Sequence, residues 1–180
     1  GPELIEPVRQ LVREPLAVAR FGRLPHASAV NIRKAQGEAG IPPAPPLGVI
    51  AGQIARILKV HSYDVVLDLT KSEKVFGSKT TVNFSCNQPG ASTFIDYISD
   101  DVTSITLNGE ELALSTHDGF RIQLDNLKAD NTLTVVGRST YMNTGEGLHR
   151  FVDPVDNKAY LYSQFEVPDS RRVFAVFEQP

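Results

Sequence analysis

The sequence predicts a mainly β protein, an antiparallel saddle-like β-sandwich, preceded by a short helical, Pro-rich N-terminal extension. Three observations predict it. Apolar and polar residues alternate along several short runs, turn dipeptides such as Asn108-Gly109 and Asp118-Gly119 separate those runs, and no long helical stretch lies between them. Parallel α/β connections would need such helices, whereas closely spaced strands with tight turns pair antiparallel.

Taken in order, residues 1–48 read as an extension and linker and residues 49–180 as the β domain. Between residues 3 and 48 six Lys or Arg stand against four Glu and no Asp, while the remainder is acidic. Gly1-Pro2 resembles a protease-cleavage scar and is left out of the fold. Leu4, Val8, Leu11 and Val12 recur at helical spacing, interrupted by Pro7 and Pro15, which predicts one or two short amphipathic helices. The run Ile41-Pro42-Pro43-Ala44-Pro45-Pro46-Leu47-Gly48 lacks four backbone donors at its prolines. It reads as an extended polyproline-like spacer, with a Pro-rich docking ligand as the lesser alternative. From Val49 to Val60 the residues Ile50, Ile54, Ile57 and Leu58 share one helical face, so a short helix is expected there.

Beyond it the period becomes two. Tyr63, Val65, Leu67 and Leu69 form one half-buried strand and Thr80, Val82, Phe84 and Cys86 its partner, with Lys71 to Ser78 as a polar hairpin loop. Further strands are expected near Thr93–Ile98, Val102–Leu107, Phe120–Leu124 and Thr132–Val136. Asn108-Gly109 and Asp118-Gly119 supply strong turn chemistry between them, and Asp130-Asn131 a weaker signal.

Composition excludes several classes. With 41% apolar and 22% charged residues and a net charge of −3, the chain is of globular type, without a charge balance that would steer it to nucleic acid. No apolar run approaches the ~20 residues needed to span a bilayer, and no signal-peptide layout opens the chain, so a cytoplasmic location is expected. The single cysteine, Cys86, has no intramolecular disulfide partner and alternates with Val82 and Phe84, as a buried apolar thiol does.

Candidate chemistry is sparse. Histidines at 26, 61, 117 and 149 never take an H-E-x-x-H or H-x-H spacing, which argues against a zinc site in this chain. There is no phosphate-cradling P-loop, and Gly145 and Gly147 lack a dinucleotide-site context. The stretch Tyr141 to Asp156 reads as a folded-back polar hairpin or loop; His149, Asp153 and Asp156 within it imitate a cation cluster but fit no calcium-loop pattern. In Tyr160-Leu161-Tyr162-Ser163-Gln164-Phe165-Glu166, alternation puts Tyr160, Tyr162, Gln164 and Glu166 on one face and Leu161 and Phe165 on the other. Composition alone favours a solvated strand face. The same pair of oxygen acceptors also suits an ammonium group, whose three N–H donors are satisfied by convergent, charge-assisted bonds.

The ordered blocks Gly145-Glu146-Gly147-Leu148-His149-Arg150-Phe151, Tyr160 to Glu166, Asp169-Ser170-Arg171-Arg172-Val173-Phe174 and Phe177-Glu178-Gln179-Pro180 closely resemble the end of the first domain of aminopeptidase N enzymes, gluzincin zinc metallo-aminopeptidases, in actinobacterial wording. The resemblance runs from near Ile54 through Tyr63-Asp64-Val65 and the segment Pro89 to Asp96, covering roughly 70% of the chain. It implies a saddle-like β domain packed on a thermolysin-like catalytic domain, with a Gln-x-Glu-type loop reaching the active site. By that resemblance Gln164 and Glu166 bind the substrate's α-ammonium group, while Asp169, Arg171 and Arg172 orient the loop or meet the catalytic domain. The zinc ligands, the general base and the transition-state tyrosine of the family lie downstream. Zinc is therefore expected as a cofactor of the full-length enzyme, with no metal ligand and no catalytic residue here, and the chain alone is expected to be inactive. Pro168, Val176 and Glu178 depart from the family, which usually carries Ala or Thr, Cys, and often Asp at those positions.

The implied partners are peptide substrates and the downstream catalytic domain, with neither nucleic acid nor membrane. An end at Pro180 is read as truncating the β domain, which predicts self-association through the exposed edge or its coverage by the extension. The competing reading is a non-catalytic β-sandwich interaction module.

Overall fold

The computed structural model describes residues 56–163, 165 and 169–177, together with the backbone of 18–21. Among these residues the strands are β1 (Val18–Phe21), β2 (Leu58–Asp68), β3 (Val75–Cys86), β4 (Thr93–Asp96), β5 (Asp101–Leu107), β6 (Glu110–Glu111), β7 (Arg121–Leu124), β8 (Asp130–Thr140), β9 (Leu148–Val152) and β10 (Ala159–Ser163). The main sheet has the order β1-β2-β3-β8-β5-β6, every neighbouring pair antiparallel, and β4-β7 and β9-β10 form two-stranded sheets.

Period-two alternation explains why these residues make a sheet with one dry face. Along β3, Phe76, Ser78, Thr80, Val82, Phe84 and Cys86 are buried while Lys79 is exposed and Thr81, Asn83 and Ser85 are half-buried. β2 and β8 repeat the pattern with Val65 and Leu67, and with Leu133 and Val135. The dry face is covered by the β4-β7 ladder, whose Ile95, Ile122 and Leu124 join the same core, and by the C-terminal stretch carrying Val173, Ala175 and Phe177. Each large side chain so buried contributes about 1.5–3 kcal/mol. The outer face of the sheet carries short polar contacts, such as Thr81 Oγ1 to Thr134 Oγ1 at 3.3 Å and Thr132 Oγ1 donating to Asn83 Oδ1 at 2.8 Å.

The predicted antiparallel β class is thus found, and its turn at Asn108-Gly109 links β5 to β6 with φ of 55° and 85°, the positive pair a tight hairpin demands. Asp118 works as a turn residue, its Oδ1 accepting from the backbone N–H of Phe120 and Arg121.

Three expectations are corrected. Leu58, Lys59 and Val60 belong to β2, not to a helix; only Arg56 and Ile57 of that predicted element are helical among the described residues. Their pairing with Cys86, Ser85 and Phe84 satisfies the backbone through a ladder and overrides the local helical spacing. β3 begins at Val75, so the loop before it is shorter than predicted. Asp130 and Asn131 lie inside β8, and the turn falls earlier, where Asn126 has φ 53°. Asn131 is buried, its side chain accepting from Lys128 N and donating to Lys128 O, so its turn chemistry acts backwards on residues already passed.

Within the predicted extension, Val18–Phe21 pair as β1 with Val65 to Asp68 of β2. The helices expected near residues 4–12, the Pro-rich run 41–48 and the boundary at 48 lie outside the described residues.

Candidate functional site

The sequence-predicted pair, Gln164 and Glu166, lies outside the described residues. Described around it in the chain are β10 before it, Phe165 between its members, and residues 169–177 further on.

The upstream side is the hairpin β9-β10, in register Phe151 with Tyr160 and His149 with Tyr162. Its inward residues Leu148, Ala159 and Leu161 are buried, and its outward face is a row of rings, with His149 on Tyr162 at 4.6 Å and Phe151 on Tyr160 at 5.3 Å, both stacked. The alternation expected for Tyr160, Leu161 and Tyr162 is therefore present, but the strand ends at Ser163. Phe165 does not join Leu161 in the core; it is 44% exposed and meets the ring of Phe174 edge-on at 5.9 Å. Gly147, at φ 59°, lies so near the next segment that a Cβ on it would stand 3.2 Å from that of Arg172, which explains the glycine there. Arg172 also pairs with Glu146 at 3.3 Å, tying the glycine loop to the downstream side.

That downstream side starts with the 3-10 turn Asp169–Arg172 and runs across the dry face of the main sheet. Buried hydroxyls hold it at alternate residues. Ser78 Oγ donates to Val173 O at 2.7 Å, Ala175 N donates to Thr80 Oγ1 at 3.2 Å, and Phe177 N donates to the hydroxyl of Tyr63 at 3.0 Å. On its other edge Val176 exchanges both backbone bonds with Asp96, at 2.9 and 3.0 Å, and Arg171 O accepts from Ile98 N at 2.8 Å. The buried Asp96 carboxylate takes Arg121 Nε at 2.9 Å and has Arg171 Nη1 at 3.9 Å, so one acid faces two cations from separate segments. Arg121 in turn lies 4.3 Å over the ring of Phe94. Burial pushes the Tyr63 hydroxyl up to about 12, against the opposing hydrogen bond from Phe177 N.

Sequence reasoning passed over Asp96, Tyr63, Ser78 and Thr80. A signal existed for two of them: Ser78 and Thr80 fall on the buried face of an alternating strand, and a buried hydroxyl needs a partner.

Zinc finds no fit in the described residues, where no three His, Cys, Asp or Glu come together. His61 Nε2 bonds Ser85 Oγ at 3.1 Å, His117 Nε2 bonds Tyr97 O at 2.9 Å, and His149 Nδ1 accepts from Gly145 N at 3.1 Å. In the imitation cluster, Asp153 Oδ1 accepts from Val155 N and Asp156 from Lys158 N and Tyr160 Oη, so both acids shape the hairpin turn. Cys86 is buried, its thiol 3.3 Å from Gln88 O.

Comparison with known proteins bears on this frame. Over 136 residues, 72% of the chain, the sequence is 52% identical to aminopeptidase N of Streptomyces lividans. The chain is related to aminopeptidase N. It spans 16% of the length of that aminopeptidase N. The fold is likewise similar to parts of two solved structures. Native leukotriene A4 hydrolase of Saccharomyces cerevisiae matches with a TM-score of 0.55 and 17% identity, over 69% of this chain and 22% of that one. A zinc metallopeptidase of Deinococcus radiodurans matches with a TM-score of 0.54 and 18% identity, over 69% of this chain and 30% of that one. No family model matches the chain.

Proposed function

We propose that this chain is the amine-recognising part of a zinc aminopeptidase that removes residues one at a time from the N-terminus of peptides. The single observation that carries the reading is the 52% identity to Streptomyces lividans aminopeptidase N over 72% of the chain. In this proposal Gln164 and Glu166 accept hydrogen bonds from the substrate's α-ammonium group. A carboxylate and an amide oxygen converging on one cation form charge-assisted bonds, and they discriminate against an acylated amine, which has lost its charge and two of its donors. Holding the leading amine fixes the peptide's register, so only the first peptide bond reaches the reacting centre. The zinc and its chemistry belong to the remainder of the enzyme, and the contribution of this chain is binding. We place the enzyme in the cytoplasm.

Two experiments test this. A polypeptide extended through its downstream reading frame and supplied with zinc is expected to cleave free peptides from the N-terminus and to leave their N-acetyl forms intact. Equal turnover of both forms would refute amine recognition. The 180-residue chain alone with zinc is expected to be inert; metal-dependent turnover that survives repurification would overturn that part.

A further inference from the structure

We propose that the N-terminal segment Val18–Phe21 is a guard strand, which docks on the edge of β2 and keeps that edge from pairing with a second copy of the chain. One stretch of the edge needs guarding. Along β2, Val65, Val66 and Leu67 are consecutive apolar residues bounded by Asp64 and Asp68. Open backbone beside such an uncharged, β-branched run is a template for another strand. The earlier part of β2 carries its own protection. Lys59, His61 and Asp64 are exposed, and the register with β3 slips between Val60 and Ser62, leaving His61 as an extra residue that breaks the regular ladder. The guard sits where that protection stops: β1 pairs with Val65 to Asp68, and among the described residues no strand pairs with Leu58 to Asp64 on the same side.

Register and charge fit the segment to this place. Ala19 and Phe21 take positions opposite Leu67 and Val65, both buried on the dry face. Position 20, an arginine, stands opposite Val66, with Asp64 and Asp68 as its diagonal neighbours on the same face. A second copy of β2, paired symmetrically about Leu67, sets its own Asp68 opposite Val66 instead, an acid between acids, and is the weaker competitor. Residues 22–57 join the segment to β2, so it meets its edge at an effective concentration on the order of a millimolar, about 100-fold above that of a second copy at ~10 µM. The sheet then ends on β1, a short strand lying between Pro15 and Pro25 in the sequence, neither of which can donate to a ladder. Its opposite end finishes in the same manner on β6, where both residues are glutamate.

The test compares the 180-residue chain with its Ala19→Pro/Arg20→Pro variant by light scattering at rising concentration. Successive residues of a strand turn their N–H groups to opposite edges, so one of the two prolines removes a donor to β2 however the ladder is phased. The unaltered chain is expected to stay monomeric to about 100 µM, while the variant reaches a doubled mass. A free peptide of residues 16–24 added at about 1 mM is expected to return the variant to monomer. Val66→Glu, placed within the variant, is expected to do the same by adding an acid to the paired edge. Should the proline variant fail to fold, Arg20→Glu leaves the backbone able to pair and is expected to reach the doubled mass in its place. Monomeric variants overturn the proposal, and so does association that ignores both the peptide and Val66→Glu. An unaltered chain that is dimeric and turns monomeric with the prolines also overturns it, since the segment is then exchanged between copies and guards no edge of its own.

Discussion

At Gly137 the main sheet has no room for a single added carbon. A Cβ there would stand 2.9 Å from Asp101 O and 3.1 Å from the ring and hydroxyl of Tyr97, which bonds Ser139 Oγ at 3.0 Å. Backbone on one side and a buried tyrosine on the other leave nothing cheap to shift, so Gly137→Ala is expected to cost about 1–3 kcal/mol in urea unfolding. Tyr63 makes a second residue-scale case. Its hydroxyl is the acceptor for Phe177 N, and Tyr63→Phe leaves that buried N–H unpaired at a cost of about 1–3 kcal/mol. The same group sets an alkaline limit. Burial raises Tyr63 to about 12 from its ordinary 10.0, and burial also raises Tyr97. A group whose proton is held more tightly in the folded chain stabilises fully below the unfolded value and loses that contribution as pH climbs through the folded one. Unfolding free energy should therefore decline between about pH 10 and 12, and the decline should be shallower in Tyr63→Phe, as pH-resolved urea titrations would register.

Among the elements, the C-terminal stretch is the one the sequence concealed. Its neighbours in space, β2, β3 and β4, lie 80 to 114 positions away in some contacts, as with Phe177 and Tyr63 separated by 114 residues. No periodicity reports a bond between a buried Ser or Thr hydroxyl and a backbone so distant. The strands themselves were legible because alternation is local: β2, β3, β5, β7 and β8 all overlap their predicted runs. Errors came where a local signal met a stronger ladder, as at Leu58 to Val60, or where Asn131 served a turn already behind it. The hydroxyl stitching makes a prediction of its own. Replacing Ser78 by Ala and Thr80 by Val removes both bonds to residues 173 and 175 while keeping the sheet's apolar ladder. Amide exchange at Ala175 and Phe177 is expected to accelerate about tenfold or more, with β8 amides unchanged, since a cost of about 1.4 kcal/mol in local opening is tenfold in exchange. Uniform acceleration across the sheet would mean that the hydroxyls serve global stability alone.

For the whole molecule, the dry face of one six-stranded sheet, a short second ladder and the strand-like C-terminal run build a rigid support. The hairpin β9-β10 and the turn Asp169–Arg172 stand at the two ends of the segment that carries Gln164 and Glu166. Resemblance in sequence named that pair, since neither residue forms a pattern that composition would separate from a solvated strand face. What sequence could not supply was the frame, because Asp96 and Tyr63 gain their meaning only from contacts across the fold. The central claim is that two oxygen acceptors on this support grip the leading amine of a peptide. Its most direct measurement is kcat/KM of the zinc-loaded extended enzyme carrying Gln164→Ala and Glu166→Ala together, alongside its thermal unfolding. The account predicts a fall of at least about 100-fold with a melting temperature within a few degrees of the unaltered enzyme. Normal trimming of free peptides by that double variant would contradict it.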